Sequence, residues 1–236
     1  MVDINKHKFF LVQLLKDIYA DLDLANKLGF KGGTALMLFH DLNRFSVDLD
    51  FNLLDNGKTE FVYERIRNIV SRYGNIKDEA KKHHGIIVVL DYGQHTRNLK
   101  VEISNRDFDD RYEINNYLGI PVRVMQLPDM FSHKLCAMLD RNIIINRDVF
   151  DCHFLMQKRT PINRHIIEKR MNMALDAYLQ KCIDAVEQIN EKRILSGLGE
   201  LMDEETKSFV KTRLKDETLT LLRMYRQFPL LSENQR

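Results

Sequence analysis

The chain has 236 residues, a formal net charge of +2 and 44% hydrophobic residues, enough to bury a sizeable core in one large domain or two small ones. The near-balanced charge excludes a globally basic nucleic-acid binder, so any such surface must be a local patch. No apolar run approaches the roughly 20 residues of a membrane span, and no apolar h-region follows Met1–Lys8, so neither a membrane segment nor a secretory signal is expected. The three cysteines, Cys136, Cys152 and Cys182, are odd in number and far apart in sequence, which supports neither a disulfide framework nor a zinc site and fits a reducing cytoplasm.

In chain order, Phe10, Leu11, Leu14, Leu15, Ile18, Leu22 and Ala25 recur at helical spacing, which predicts a helix over 8–28 stopped by Gly29. A short buried helix is predicted over 34–42, with Thr34 as its N-cap, and a strand over 47–53. A helix over 59–73 ends at Gly74. Strands follow at 86–90 and 99–103, joined by a hairpin turn over 92–98 containing Gly93, and a further strand at 121–125. Helices are expected over 129–140, where Pro128 suits a helix start, and over 147–157, with a break at Pro161. From 162 the chain carries no strand signal. Helices are expected over 162–194 and 200–227, joined around Ser196–Gly199, with a frayed tail from Ser232 to Arg236.

The stretch from Lys31 to Phe51 carries the chemistry. On a strand, residues i and i+2 point the same way, so Asp48 and Asp50 present two carboxylates on one face and Val47, Leu49 and Phe51 pack on the other. Two such carboxylates repel unless a cation lies between them, which suggests Mg²⁺. Upstream, Gly32-Gly33-Thr34 could open a helix whose N–H groups face phosphate oxygens. A calcium loop starting at Asp48-x-Asp50-x-Asn52 fails downstream, where Leu53 replaces the required glycine and Thr59 the bidentate glutamate. Solvated surface aspartates are the remaining alternative. Arg44 and Ser46 share the parity of the aspartates and would join them if the strand began that early. Glu102 alternates with Val101 and Ile103 and faces the same way as Lys100; a surface Lys/Glu pair would look alike. Two-metal chemistry draws acids from neighbouring strands, which makes Glu102 the candidate third carboxylate. His83, His84, His133 and His153 have no ligand spacing. The basic residues of the C-terminal part, such as Arg164, Lys169, Arg213 and Lys215, are interleaved with acids, as on a solvated helix face; an RNA-contacting surface is the alternative.

Gly-Gly-Thr-Ala-Leu followed by Arg-Phe-Ser-Val-Asp-Leu-Asp-Phe resembles the nucleotidyltransferases of the AbiEii toxin family, within the DNA polymerase β-type nucleotidyltransferase superfamily. The resemblance spans roughly residues 30–155. It implies an α/β (α+β) nucleotidyltransferase fold. The order of elements, strands alternating with helices and then helices only, predicts a mixed twisted sheet flanked by helices over 1–158 and a C-terminal helical subdomain over 159–236. The resemblance also implies metal binding by Asp48, Asp50 and Glu102, two Mg²⁺ ions, and nucleotide binding by Gly32, Gly33, Thr34, Arg44, Ser46 and Lys134. Lys134 interrupts an apolar helix, so it either snorkels or is functional; in the family a lysine so placed reaches the triphosphate. Arg147-Asp148-x-x-Asp151 resembles the family's closing motif, which makes Asp148 a further catalytic candidate beside Lys134. Helical spacing puts Asp148 and Asp151 on one face. The implied activity is transfer from a nucleoside triphosphate to RNA, with tRNA first, by the toxin of a type IV pair with an antitoxin partner. A small-molecule nucleotidyltransferase and a catalytically silent nucleotide-binding module of the same fold are the alternatives.

Overall fold

The computed structural model describes residues 3–93, 97–140 and 145–232. The chain divides into two compact units, one of residues 1–107 with 112–125 and one of 108–111 with 126–236.

The first unit is built on a seven-stranded mixed sheet. Its elements are α1 (Ile4–Ala20), α2 (Leu22–Ala25), β1 (Leu28–Lys31), α3 (Gly32–Phe39), β2 (Leu49–Leu53), α4 (Thr59–Val70), β3 (Asn75–Lys82), β4 (Gly85–Asp91), β5 (Leu99–Ser104), β6 (Tyr112–Tyr117) and β7 (Ile120–Met125). The strand order is β3-β4-β5-β2-β1-β7-β6. β2 runs parallel to β5 and antiparallel to β1, which lies parallel to β7. Mixed strand directions and flanking helices match the expected fold class.

Apolar spacing sets the packing. Leu11, Leu14, Leu15 and Ile18 of α1 are buried, and Asp3 caps that helix by accepting from the Lys6 N–H at 3.0 Å. In β5, Leu99, Val101 and Ile103 are buried while Lys100 and Glu102 face the other way. Each fully buried aliphatic side chain contributes about 1.5–3 kcal/mol relative to an exposed one.

The first predicted helix ends early. Residues 21–25 form a separate short turn of helix, capped by Asp21, and 28–31 form β1. Gly29 therefore lies inside a strand instead of ending a helix. A Cβ there would sit 2.1 Å from a ring carbon of Tyr112, so only glycine lets that ring lie against the strand. β3 and β6 carry no apolar alternation and were not expected; both are sheet edges with mostly exposed or half-buried residues. The predicted 92–98 turn lies partly outside the described residues, as does the tail beyond Ser232.

The second unit is helical: α5 (Leu127–Leu139), α6 (Asn146–Gln157), α7 (Arg164–Met171), α8 (Leu175–Glu187), α9 (Glu204–Thr212) and α10 (Leu214–Gln227). α5 and α6 cluster with the later helices, and the two compact units meet in the chain at 125/126. Residues 108–111 join them because buried Asp129 accepts from the Arg111 backbone N–H at 2.7 Å, the Arg111 guanidinium at 2.9 Å and the Asn163 amide at 2.7 Å. Ile162 pairs with Leu231 in a single parallel bridge, a strand contact that the helical pattern does not signal. None of the described helices is long and apolar enough to cross a membrane.

Candidate active site

β1 leads directly into α3. Gly32 takes φ +83°, a left-handed conformation that side chains rarely adopt, and this turns the chain from strand to helix. The N-cap position is Lys31, which makes no side-chain cap bond. Thr34 is therefore not the cap, because the helix begins two residues earlier. Its hydroxyl instead donates to the backbone carbonyl of Asp48 and ties the helix to the segment carrying the aspartates.

On β2, Asp50 stands in register with Lys31 of β1 on one side and Glu102 of β5 on the other. Asp48 lies just before the strand. The sheet thus brings Asp48, Asp50 and Glu102 together, with Lys100 among them. The Lys100 ammonium is 2.6 Å from Glu102 Oε2 and 3.9 Å from Asp48 Oδ2. Burial, with Asp48 and Glu102 adding repulsion, pushes Asp50 up to about 6 against the pull of Lys100 and Lys31. Gly32 approaches closely: a Cβ there would lie 2.5 Å from Asp50 Oδ2.

Arg44 and Ser46 reach this neighbourhood by a different route from the one expected. β2 begins at Leu49, so neither lies on the strand and strand parity does not place them. The preceding loop folds both, buried, over the first turn of α3, where a Cβ on Gly33 would meet Arg44 Nη2 at 2.8 Å and Ser46 Oγ at 2.9 Å. The Arg44 guanidinium also donates to the Phe45 carbonyl at 3.0 Å. Asn52, third in the rejected calcium-loop pattern, is buried and donates to the Tyr112 hydroxyl at 2.8 Å.

His7 was missed by sequence reasoning. It is fully buried, with Nε2 2.8 Å from the Val47 carbonyl and Nδ1 2.5 Å from the Tyr92 hydroxyl. Nothing in its local sequence, the polar start of a helix, signals that position. Lys100 was noted only as a neighbour of Glu102, and Lys31 was not weighed.

Lys134, Asp148 and Asp151 belong to the second unit and form their own cluster. Lys134 Nζ on α5 lies 3.1 Å from Asp148 Oδ1 and 2.8 Å from Asp151 Oδ2, both on α6. The Asp151 side chain is fully buried. The shared face expected for the two aspartates is present, and the cation holding it is Lys134. Of the histidines, His133 bonds Asp110 at 2.6 Å and His153 bonds Glu217 at 3.0 Å. Several C-terminal cations are paired with acids, among them Lys169 with Asp109 and Lys215 with Glu191.

Among the described residues, no three His, Cys, Asp or Glu side chains are gathered in metal-ligating geometry. The residues at Asp48, Asp50 and Glu102 nonetheless fit a magnesium ion chemically. All three offer hard oxygen donors. Their mutual repulsion, registered in the raised Asp50 carboxyl, is what a divalent cation would relieve.

The profile of the family described as nucleotidyl transferase AbiEii toxin, Type IV TA system, matches residues 13–228. JHP933 from Helicobacter pylori has a similar structure, with a TM-score of 0.61 and 21% identity over 95% of this chain and 92% of its own. A second Helicobacter pylori structure, provisionally described as a nucleotidyltransferase, gives a TM-score of 0.61 and 21% identity over 94% of each chain. At that identity the likeness speaks for the fold. No curated protein matches. With a family profile covering nearly the whole chain and the expected Gly-Gly-Thr and Asp-x-Asp residues adjacent in space, the protein belongs to the AbiEii nucleotidyl transferase toxin family of type IV toxin–antitoxin systems.

Proposed function

We propose that this nucleotidyltransferase moves a nucleotidyl group from a nucleoside triphosphate to an RNA acceptor, tRNA before others, in a Mg²⁺-dependent reaction, and that it acts as a toxin held in check by a partner antitoxin. The observation that carries the catalytic reading is the register of Asp50 with Glu102, with Asp48 two residues upstream and Gly32 packed against Asp50. The toxin reading and the choice of tRNA rest on the family.

Asp48, Asp50 and Glu102 would hold the two ions. When bound, these would neutralise charge on the attacking and leaving oxygens. The backbone N–H groups of Gly32, Gly33 and Thr34 open α3 toward the triphosphate, because a helix N-terminus favours phosphate. Arg44 and Ser46, folded over that same turn, supply further donors. The acceptor hydroxyl oxygen forms a bond to the α-phosphorus, the α–β bridging bond breaks, and pyrophosphate leaves. The hydroxyl proton passes to a carboxylate of the trio. Lys134 is assigned to the triphosphate on the family pattern, with Asp148 and Asp151 fixing its ammonium.

The test incubates the protein with each labelled nucleoside triphosphate, Mg²⁺ and total cellular RNA. Label in RNA that disappears in Asp48→Ala supports the proposal. Label only on a small molecule selects an antibiotic-type enzyme, and nucleotide binding without transfer selects a silent module. Expression in the host of origin without the neighbouring antitoxin gene should slow growth in an Asp48-dependent manner.

A further inference from the structure

We infer that Lys100 is a built-in counter-cation of the carboxylate trio: its ammonium occupies the ground that a divalent cation must take, so the site accepts metal weakly until a nucleotide arrives. This rests on the metal-binding reading of Asp48, Asp50 and Glu102 proposed above.

The geometry has three parts. Lys100 and Glu102 are two residues apart on β5 and point to one face of the sheet. The opposite face carries fully buried Leu99 and Val101 and nearly buried Ile103, so the lysine stem has no other side to turn to. The ammonium lies 2.6 Å from Glu102 Oε2 on β5 and 3.9 Å from Asp48 Oδ2 in the segment just before β2, between carboxylates from two parts of the chain.

Charge completes the picture. Around Asp50 two lysines, Lys100 and Lys31, face three carboxylates, which leaves the group one positive charge short. A divalent cation would more than supply that charge, and it would draw on the same Glu102 carboxylate that Lys100 holds. The two cations therefore compete. A nucleoside triphosphate changes the balance, because its phosphate oxygens offer the displaced ammonium a new partner within the same site. Metal and nucleotide then bind cooperatively, each raising the other's affinity.

The measurement is Mn²⁺ affinity by calorimetry on the full chain, with and without a non-hydrolysable nucleoside triphosphate. Lys100→Met should bind Mn²⁺ at least about tenfold more tightly than the parent when nucleotide is absent. Nucleotide should raise Mn²⁺ affinity much less in Lys100→Met than in the parent. Lys100→Arg, which keeps the charge, should stay weak. Lys100→Gln serves as the second neutral variant, and thermal melting confirms that each variant is folded. Unchanged or weaker Mn²⁺ binding in both neutral variants overturns the inference. Asp48→Asn separates the two levels of failure. If binding is present and Asp48-dependent but indifferent to Lys100, the counter-cation fails and the metal site stands. If neither parent nor neutral variants bind Mn²⁺, both fall together.

Discussion

Gly32 and Asp50 are locked together: a single added methyl on Gly32 would stand 2.5 Å from Asp50 Oδ2 and 3.1 Å from its Cβ. The same glycine adopts φ +83°, where an L side chain is strained by roughly 1–2 kcal/mol. Gly32→Ala should therefore do two things at once. It should lower unfolding free energy by about 1–2 kcal/mol, seen in a denaturant titration. It should also swing the Asp50 carboxylate out of place and reduce transfer at least about tenfold, since small misplacements of a reacting group are costly. Near-normal transfer by a folded Gly32→Ala chain would detach Asp50 from the reaction.

Asp50 makes stability depend on pH in an unusual direction for an aspartate. Its carboxyl titrates near 6 when folded, against 3.8 as the ordinary value, chiefly because of burial. Between those values the folded chain keeps a proton that the unfolded chain has lost. Stability from this group is thus complete below pH 3.8 and is lost as pH rises through about 6. In a chelator, Asp50→Asn should remove this loss, so that it gains about 2 kcal/mol over the parent between pH 4.5 and 7.5. Excess Mg²⁺ should recover much of that stability in the parent alone. Parallel pH curves for the two proteins would contradict the raised carboxyl.

The buried elements of this fold are legible from sequence, and its edges are not. β5 announces itself because Leu99, Val101 and Ile103 alternate against a wholly buried face. β3 reads Asn-Ile-Lys-Asp-Glu-Ala-Lys-Lys and β6 reads Tyr-Glu-Ile-Asn-Asn-Tyr; each pairs along one side only and needs no apolar row. β1 hides for another reason. Its Gly29 looks like a helix stop, but its function is to make room for the Tyr112 ring, from a residue 83 positions later.

At the site, Asp50 and Glu102 could be proposed from alternation together with the family motif, because neighbouring strands hold them in register; Asp48 precedes β2, so the motif and not strand periodicity is what singles it out. Arg44 and Ser46 were singled out on a parity that does not hold there; the loop before Leu49 brings them to Gly33 instead. His7 could not be found at all, since only the tertiary fold carries it to Val47, 40 residues away.

The Lys134 cluster predicts a stability effect independent of catalysis. Removing the ammonium 2.8 Å from fully buried Asp151 takes a short-range cation away from that carboxylate. Lys134→Ala should cost about 3 kcal/mol in chemical unfolding, in the range for breaking a buried ion pair. Asp148→Asn, at a more exposed and longer contact of 3.1 Å, should cost less. Any loss of transfer or toxicity in Lys134→Ala must therefore be compared at equal folded protein. Stability within about 1 kcal/mol of the parent would show that the cluster is not a structural ion pair.

His7 offers the sharpest separation between holding the fold and holding the site. To donate to the Val47 carbonyl, Nε2 must carry the proton, so Nδ1 accepts from the Tyr92 hydroxyl. Burial lowers the His7 pKa and agrees with this neutral ring. Val47 immediately precedes Asp48, whose own carbonyl is held by Thr34 on the other side. The backbone at 47–48 is thus pinned from α1 and from α3. His7→Phe keeps the ring volume and removes the donor, leaving the Val47 carbonyl unsatisfied at about 1–3 kcal/mol. Tyr92→Phe deletes only the hydroxyl that donates to Nδ1 and should cost about 1 kcal/mol or less. If the contact positions Asp48, kcat should fall about tenfold in His7→Phe with KM for the nucleotide nearly unchanged, because the lost interaction acts on the reacting geometry and not on ground-state binding. A purely structural His7 would instead lower stability and leave kcat per folded molecule intact.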